Sequence, residues 1–362
     1  PVVGDCSQSK PVYDLDSVGI LKMLSKMEET GCDCGGNPLS GGAPKFFKGA
    51  AVTPVYEPMI LQVNKLRQKV DAGAGRILLE GKYLFDVVDV DSDLSGYRVL
   101  ILPDEIRITA DLKEKLDGFV AGGGKLLATG FSGLYWEKAA FAFDFGADYV
   151  GESALQPCYF APREELEGLY PSAYVLYRPG QDVAVTDGQV LGQLYKPYFN
   201  RTAAHFCSHR HTPNETEPAG AGMVEGKDGI YIGWSVFAEY AEAGALIAKR
   251  MVQYALDRLL GEEKLLRTDL GAQGVVTLME QEERYVSHLL YAVPVKRGSG
   301  VEIIEDIQPV YHVNVSLKLP EKIRRVYLAP SGEKLPFRRE NGRISFTLPK
   351  LECHQMVVLE KE

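Results

Sequence analysis

Long apolar runs are missing from these 362 residues. No uninterrupted stretch approaches the ~20 residues a membrane-spanning helix requires, and no apolar segment follows a charged start as a secretory leader would. The expectation is a soluble, cytoplasmic protein with no membrane partner. Basic clusters are missing as well: 40 Lys and Arg stand against 49 Asp and Glu, for a net charge of -9. Nucleic acids and anionic membranes are bound by clustered cations, so no nucleic-acid partner is expected. Cysteine is scarce and scattered at positions 6, 32, 34, 158, 207 and 353. Only Cys32 and Cys34 are close, and C-x-C is not the redox C-x-x-C, so reduced thiols are expected rather than a disulfide framework. An initiating methionine is missing too, and the start at Pro1 fits a processed product or the tail of a longer chain.

Complete catalytic and cofactor motifs are equally hard to find. Asp89, Asp91 and Asp93 have calcium-loop spacing, but Leu94 stands where the loop needs Gly and Leu100 where it needs Glu. Gly124-Lys125 suggests a phosphate loop, yet Phe119 replaces its first Gly and Leu126 its Ser or Thr. "GFSGL" at 130–134 follows an apolar run, where an α/β nucleophile could lie, but it does not match G-x-S-x-G. No pair of carboxylates has a spacing that singles it out for acid/base work. No catalytic residue, cofactor or metal is therefore assigned.

What is present is a large apolar fraction, 45%, in a chain long enough to bury about 75% of its unfolded surface in two or more domains. Ser17 to Thr30 has the pattern of a helix, followed by a Gly- and Pro-rich loop to about residue 49. A second helix starts near Pro58 and runs through Val63, Leu66 and Val70. In "YRVLILPDEIRITADLKEKLDGFVAGGGKLLATG", the apolar runs Val99–Leu102 and Lys125–Thr129 flank a helix capped by Thr109 and stopped by Gly122–Gly124. Strand, helix and strand, with both strands nearly all apolar, is the βαβ pattern of a parallel sheet covered on both faces. Asp228–Trp234 reads as another buried strand leading into one long helix, Phe237 to Leu260. Beyond Glu263 the pattern alternates, with Val313, Val315 and Leu317, and then Ile344, Phe346 and Leu348, on one face. Asn341-Gly342 marks a hairpin. This predicts an α/β domain followed by a small antiparallel β-sandwich.

One cluster stands out. In "PYFNRTAAHFCSHRHTP" (197–213), His205, Cys207, His209 and His211 fall at every second position. On a β-strand, side chains two apart share a face. Three readings stay open: a metal site, a polar cluster that meets sugar hydroxyls, or a plain strand end. Adjacent positions on one strand rarely supply a full tetrahedral set. Tyr198 and Phe199 beside Asn200 and Arg201 favour sugar contacts, since aromatic faces and planar hydrogen-bonding groups combine in such sites. The candidate carbohydrate-binding residues are Tyr198, Asn200, Arg201, His205, His209 and His211.

The segment from "GRILLEGKYLFDVVDV" through "GGGKLLATGFSGL" resembles the middle, trimerisation domain of barrel-type bacterial β-galactosidases and its counterpart in related α-L-fucosidases. The histidine stretch and the tail "EIIEDIQPVYHVNVSLKLP…LECHQMVVLE" resemble later parts of the fucosidase-like group. The resemblance covers about residues 70–360. It implies a flavodoxin-like, class I glutamine-amidotransferase-like three-layer domain over 51–262 and a β-sandwich over 263–362. Residues 1–50 are then a helical and loop segment, either a remnant of a preceding barrel or a diverged leader. It also implies a bacterial cytoplasmic homo-oligomer, a trimer by analogy, with a carbohydrate partner. In the resembled trimers the middle domain packs near a neighbouring subunit's active site, while the hydrolytic carboxylates lie on an N-terminal (β/α)₈ barrel. No catalytic residue carries over, because no positions here match. The alternatives are a stand-alone amidotransferase-like enzyme or sugar-binding module using the crevice at the strand ends, and a purely structural oligomerisation unit.

Overall fold

The computed structural model describes residues 57–209 and 211–362, with side chains from residue 69 onward. The helix expected at 17–30 and the loop to 49 lie outside the described residues.

Helix α1 (Glu57–Glu80) buries Val70, Ile77 and Leu78. It approaches the start of a later helix so closely that a Cβ on Gly73 would collide with the Phe237 carbonyl. At its end Glu80 accepts from Tyr240 Oη at 2.8 Å and Lys249 Nζ at 2.8 Å, and from Arg76 Nε at 2.9 Å, which ties the helix to the far end of the α/β fold. The βαβ unit follows as β1 (Val99–Leu102), α2 (Ala110–Ala121) and β2 (Lys125–Thr129). Thr109 caps α2 by accepting the Leu112 N–H, and Leu116 and Phe119 turn inward. A Cβ on Gly124 would run into the Phe119 ring, so glycine there lets β2 start directly beneath α2.

Six further strands follow: β3 (Ala147–Glu152), β4 (Cys158–Pro162), β5 (Tyr174–Leu176), β6 (Gln181–Val185), β7 (Gln189–Pro197) and β8 (Asn214–Glu225). Then come β9 (Gly229–Ile232), α3 (Val236–Ala243) and α4 (Leu246–Leu260). Among the described residues the largest sheet has seven strands in the order β1-β2-β9-β8-β7-β4-β5. The first three are parallel, and the rest are antiparallel, so the sheet is mixed and the fully parallel sheet of the sequence pattern is confined to one end. There Leu126, Ala128 and Tyr231 pack on the α2 side with Phe143 and Phe145. The alternating Leu127 and Ile230 face the other way, the side left for α4, whose Ile247, Ala248, Met251, Val252 and Ala255 are buried.

The single helix expected over 237–260 is two. Gly244 adopts φ +61, in the left-handed region, and its N–H closes on the Tyr240 carbonyl, which ends α3 and lets the chain turn before α4. The apolar stripe continues across the break, so hydrophobic spacing alone could not show it.

The C-terminal region is a β-sandwich. One sheet holds β10 (Leu266–Thr268), β15 (Val310–Lys318), β18 (Arg343–Leu351) and β17 (Phe337–Glu340). The other holds β11 (Gly274–Gln281), β12 (Arg284–Tyr291), β19 (Cys353–Lys361) and β16 (Ile323–Ala329). A separate ribbon pairs β13 (Val295–Gly298) with β14 (Val301–Ile303). Val313, Val315, Leu317, Ile344, Phe346 and Leu348 all lie in the sandwich core, as their alternation requires. Glu340 pairs with Arg343 across Asn341-Gly342. Both turn residues have positive φ, +50 and +75, the geometry of a two-residue hairpin turn.

Candidate functional site

The three parallel strands end on one buried polar cluster. Asp104, two residues beyond β1, is fully buried. Its N–H donates to Thr129 Oγ1 at 2.8 Å, and the Thr129 hydroxyl returns a bond to Oδ1 at 2.7 Å. Its carboxylate also accepts the Phe237 and Ala238 N–H groups, at 3.4 and 2.8 Å, which are free donors of the first turn of α3. Burial nevertheless pushes the Asp104 carboxyl up to about 6, against the pull of these bonds. The backbone is equally constrained. The Asp104 carbonyl accepts the Phe131 N–H at 2.7 Å, and Gly130, at φ +57, sits where a Cβ would press on Asp104 and Ser235.

One turn further along α3, Glu239 is also buried. Its Oε2 accepts the backbone N–H groups of Tyr177 and Arg178, both at 3.2 Å, while buried Oε1 has no hydrogen-bond partner. Burial raises this carboxyl to about 7; the two N–H bonds and the Arg178 charge pull it down, and the Asp104 charge adds to the rise. Neither carboxylate reaches solvent. Their role in this geometry is to fasten the β5–β6 turn onto α3 and α3 onto the strand ends. Sequence spacing missed both, since they lie far apart in the chain. The signals were an Asp directly after a buried strand and a Glu inside the apolar run "VFAEYA".

The β5–β6 turn in turn supports the histidine stretch. The Tyr177 ring lies 5.5 Å from the His211 ring. The stretch itself is an irregular loop from 198 to 213 between β7 and β8, not a strand, so the shared-face argument for its alternating side chains fails. The loop closes on itself. Tyr198 N–H donates to the Pro213 carbonyl at 3.0 Å, Thr202 N–H to the His205 carbonyl at 2.7 Å, His205 N–H to Thr202 Oγ1 at 2.9 Å, and Thr212 Oγ1 to the Phe199 carbonyl at 3.2 Å. Tyr159 links it to the sheet by donating to the Thr212 carbonyl. These local bonds replace the ladder that a strand would have offered.

Of the six predicted binding residues, Tyr198, Asn200, Arg201, His205 and His209 are exposed and His211 is half-buried. The Phe199 and His205 rings lie 5.7 Å apart, Tyr198 sits at the loop's neck, and His211 turns in toward Tyr177. His205 and His211 therefore pack against different rings. Cys207 Sγ approaches the carbonyls of His209 and His211. Among the described residues no three His, Cys, Asp or Glu side chains come together as a metal-holding set.

The nucleophile position is also filled structurally. Ser132 is buried, and its Oγ accepts the Ile106 N–H at 2.8 Å. Cys158 is buried in the sheet, which pushes its thiol up to about 11. The Asp89–Asp93 segment is a solvated turn in which Asp89 and Asp93 bind nearby N–H and Ser hydroxyl groups.

Residues 76–198 match the model of the β-galactosidase trimerisation domain. Among solved structures the chain is similar to α-L-fucosidase isoenzyme 2 from Paenibacillus thiaminolyticus, at 51% identity and a TM-score of 0.79. That alignment covers 81% of this chain and 45% of the fucosidase. It is also similar to a β-galactosidase from Bacillus circulans sp. alkalophilus, at 16% identity and a TM-score of 0.48, covering 88% of this chain and 39% of that one. A β-galactosidase from Rahnella sp. R3 gives 16% identity, a TM-score of 0.46, and coverage of 80% and 36%. No curated protein matches. The chain spans less than half the length of these enzymes and corresponds to a C-terminal region of them.

Proposed function

We propose that this chain is the accessory, oligomerising part of a carbohydrate-active glycoside hydrolase of the α-L-fucosidase or β-galactosidase kind. The observation that carries this reading is the trimerisation-domain match over residues 76–198, which spans the whole βαβ unit and the sheet up to the histidine loop. On this reading the hydrolytic carboxylates come from a catalytic barrel elsewhere in the enzyme. Hydrolysis with two carboxylates needs both to face one sugar, whereas Asp104 and Glu239, the carboxyls raised furthest among the described residues, are sealed inside the fold. The partner is a second copy of the chain, in a trimer by analogy, and the substrate is a carbohydrate handled in the cytoplasm.

We read the α/β part as a flavodoxin-like, glutamine-amidotransferase-like three-layer fold. Helices packed on the β1-β2-β9 strands, with a crevice at their carboxyl ends, support that reading. The amidotransferase alternative needs an accessible nucleophile after β2, and buried Ser132 is committed to Ile106.

Two measurements test the proposal. Light scattering should give a mass that is a multiple of 39.9 kDa, and a monomer at all concentrations would remove the oligomerising role. Nitrophenyl α-L-fucoside and β-D-galactoside should not be hydrolysed by the 362-residue chain, whereas clear turnover would place the catalytic carboxylates within it.

A further inference from the structure

The segment after β2 carries an aromatic platform that neither the histidine loop nor the buried carboxylates explain. Trp136 is 71% exposed, yet its backbone is held firmly. Its N–H donates to the Ile108 carbonyl at 3.0 Å, the Tyr135 N–H to the Ala140 carbonyl at 2.9 Å, and the Ala142 N–H to the Gly133 carbonyl at 2.8 Å. Ile108 and Tyr135 form a parallel bridge, and Leu134 and Phe141 an antiparallel one. Beneath them Phe141 packs edge-on to Tyr231 with centroids 4.6 Å apart. An indole left in water on so fixed a frame gains nothing for the fold.

Trp136 borders a concavity of about 400 Å³, a size ordinary for a small-molecule site. Its walls include Phe131, Tyr135 and Tyr149, with Arg107 and Glu152. Arg107 is fixed over the Phe131 ring, its Cζ 5.1 Å from the centroid, and Lys138 lies 4.3 Å from the Tyr135 centroid. The Glu152 side chain makes no hydrogen bond or ion pair among the described residues, which leaves its carboxylate able to accept hydroxyl protons. The concavity opens where the chain leaves the carboxyl end of β2, the usual place for ligands in α/β sheets.

We propose that this concavity is a saccharide subsite in which one pyranose ring stacks on the Trp136 indole while Arg107 and Glu152 hydrogen-bond its hydroxyls. A ring with one apolar C–H face and a hydroxyl rim matches an aromatic plane flanked by a fixed cation and a free carboxylate. A protein partner would instead want a broad apolar patch, and here charged Arg107, Glu137, Lys138 and Glu152 interrupt the aromatics. The choice of a sugar rests on the function proposed above, but the test separates the two: oligomer mass reads that function, and a tryptophan signal reads this one.

The chain has two tryptophans, and Trp234 is fully buried, so acrylamide quenching of exposed indole reports Trp136 alone. With L-fucose or D-galactose added to the 362-residue chain, that quenching should fall saturably to about half or less, with half-saturation in the millimolar range expected for a single ring on one face. Arg107→Ala and Glu152→Gln keep the reporter. Each should raise the half-saturation about tenfold with an unchanged far-ultraviolet circular dichroism spectrum. No protection at any sugar concentration would overturn the proposal. So would equal protection by acyclic sorbitol, or wild-type affinity in both variants. Protection that grows with protein concentration in the absence of sugar would assign the platform to chain–chain contact and also overturn it.

Discussion

Two loops leave the α/β core with exposed rings, and they are held in opposite ways. Segment 130–146 is laced to the ends of other elements: Gly130 N–H bonds the Ile232 carbonyl, Phe131 that of Asp104, Gly133 that of Ile106 and Trp136 that of Ile108. Among the described residues, segment 198–213 bonds to itself through Thr202, His205 and Thr212, with Tyr159 and Tyr177 as outside supports. The histidine loop is richer in chemistry-bearing residues, whereas the Trp136 loop is richer in long-range restraint. A binding surface needs side chains held in place, and residue type alone does not supply that.

The difference breaks most violently at the base of the first loop. Phe145 is fully buried, 5.3 Å from the Phe141 centroid and 6.0 Å from that of Tyr231. Phe145→Ala should cost about 3–5 kcal/mol, read as a lowered melting midpoint, and should expose 133–142 to hydrogen exchange. His205→Ala, on the exposed second loop, should change stability by no more than ~0.5 kcal/mol. Equal losses would mean the two loops are anchored alike.

A second, smaller effect tests the support shared by the histidine loop and α3. Glu239 has its carboxyl raised from an ordinary 4.5 to about 7, so the folded chain holds a proton that the unfolded chain has released. Its contribution to stability is therefore fully present below about pH 4.5 and lost as pH rises to about 7, with a slope of up to ~1.4 kcal/mol per unit. Glu239→Gln keeps an acceptor for the Tyr177 and Arg178 N–H groups and removes the titration. Denaturant midpoints measured between pH 5 and 8 should fall with pH in the parent and fall less steeply in the variant, which keeps the Asp104 share of the slope up to about pH 6. An unchanged slope would assign the pH dependence elsewhere. Smaller again, Tyr159→Phe removes the hydroxyl that donates to the Thr212 carbonyl. It should cost about 1 kcal/mol and accelerate exchange within 198–213, leaving 130–146 protected.

How much of this was legible in the sequence follows from the range of the interactions. The β1-α2-β2 unit could be read because its signals are local: an apolar run, Thr109 as cap, three glycines as stop. The hairpin at Asn341-Gly342 was legible for the same reason, since a two-residue turn fixes its own register. The break at Gly244 was not, because the buried stripe runs on through α4. The histidine alternation misled because a period of two means one face only on a strand, and the loop's Thr202, Thr212 and Tyr198 bonds hold it off the β7–β8 ladder. Asp104 and Glu239 meet only through the fold, across the β1 end and α3. Trp136 lies in a stretch without any motif. Nothing in "LYWEKAA" says that its backbone is bridged to Ile108.

The smallest expected effect is the most discriminating. Trp136→Ala removes a large aromatic side chain, a change that costs several kcal/mol in a core. With 71% of that side chain in water, the frame beneath it is built by Phe141, Phe145 and Tyr231, and by backbone bonds that alanine retains. The melting curve should therefore shift by no more than ~0.5 kcal/mol, while Phe145→Ala, a few residues on, collapses the same loop. If Trp136→Ala were as costly as a core truncation, the indole would be part of the packing and its exposure would need no ligand. A near-neutral result leaves a rigid loop that presents an indole without needing it for stability, and in that case the residue's use lies in what it contacts outside the chain.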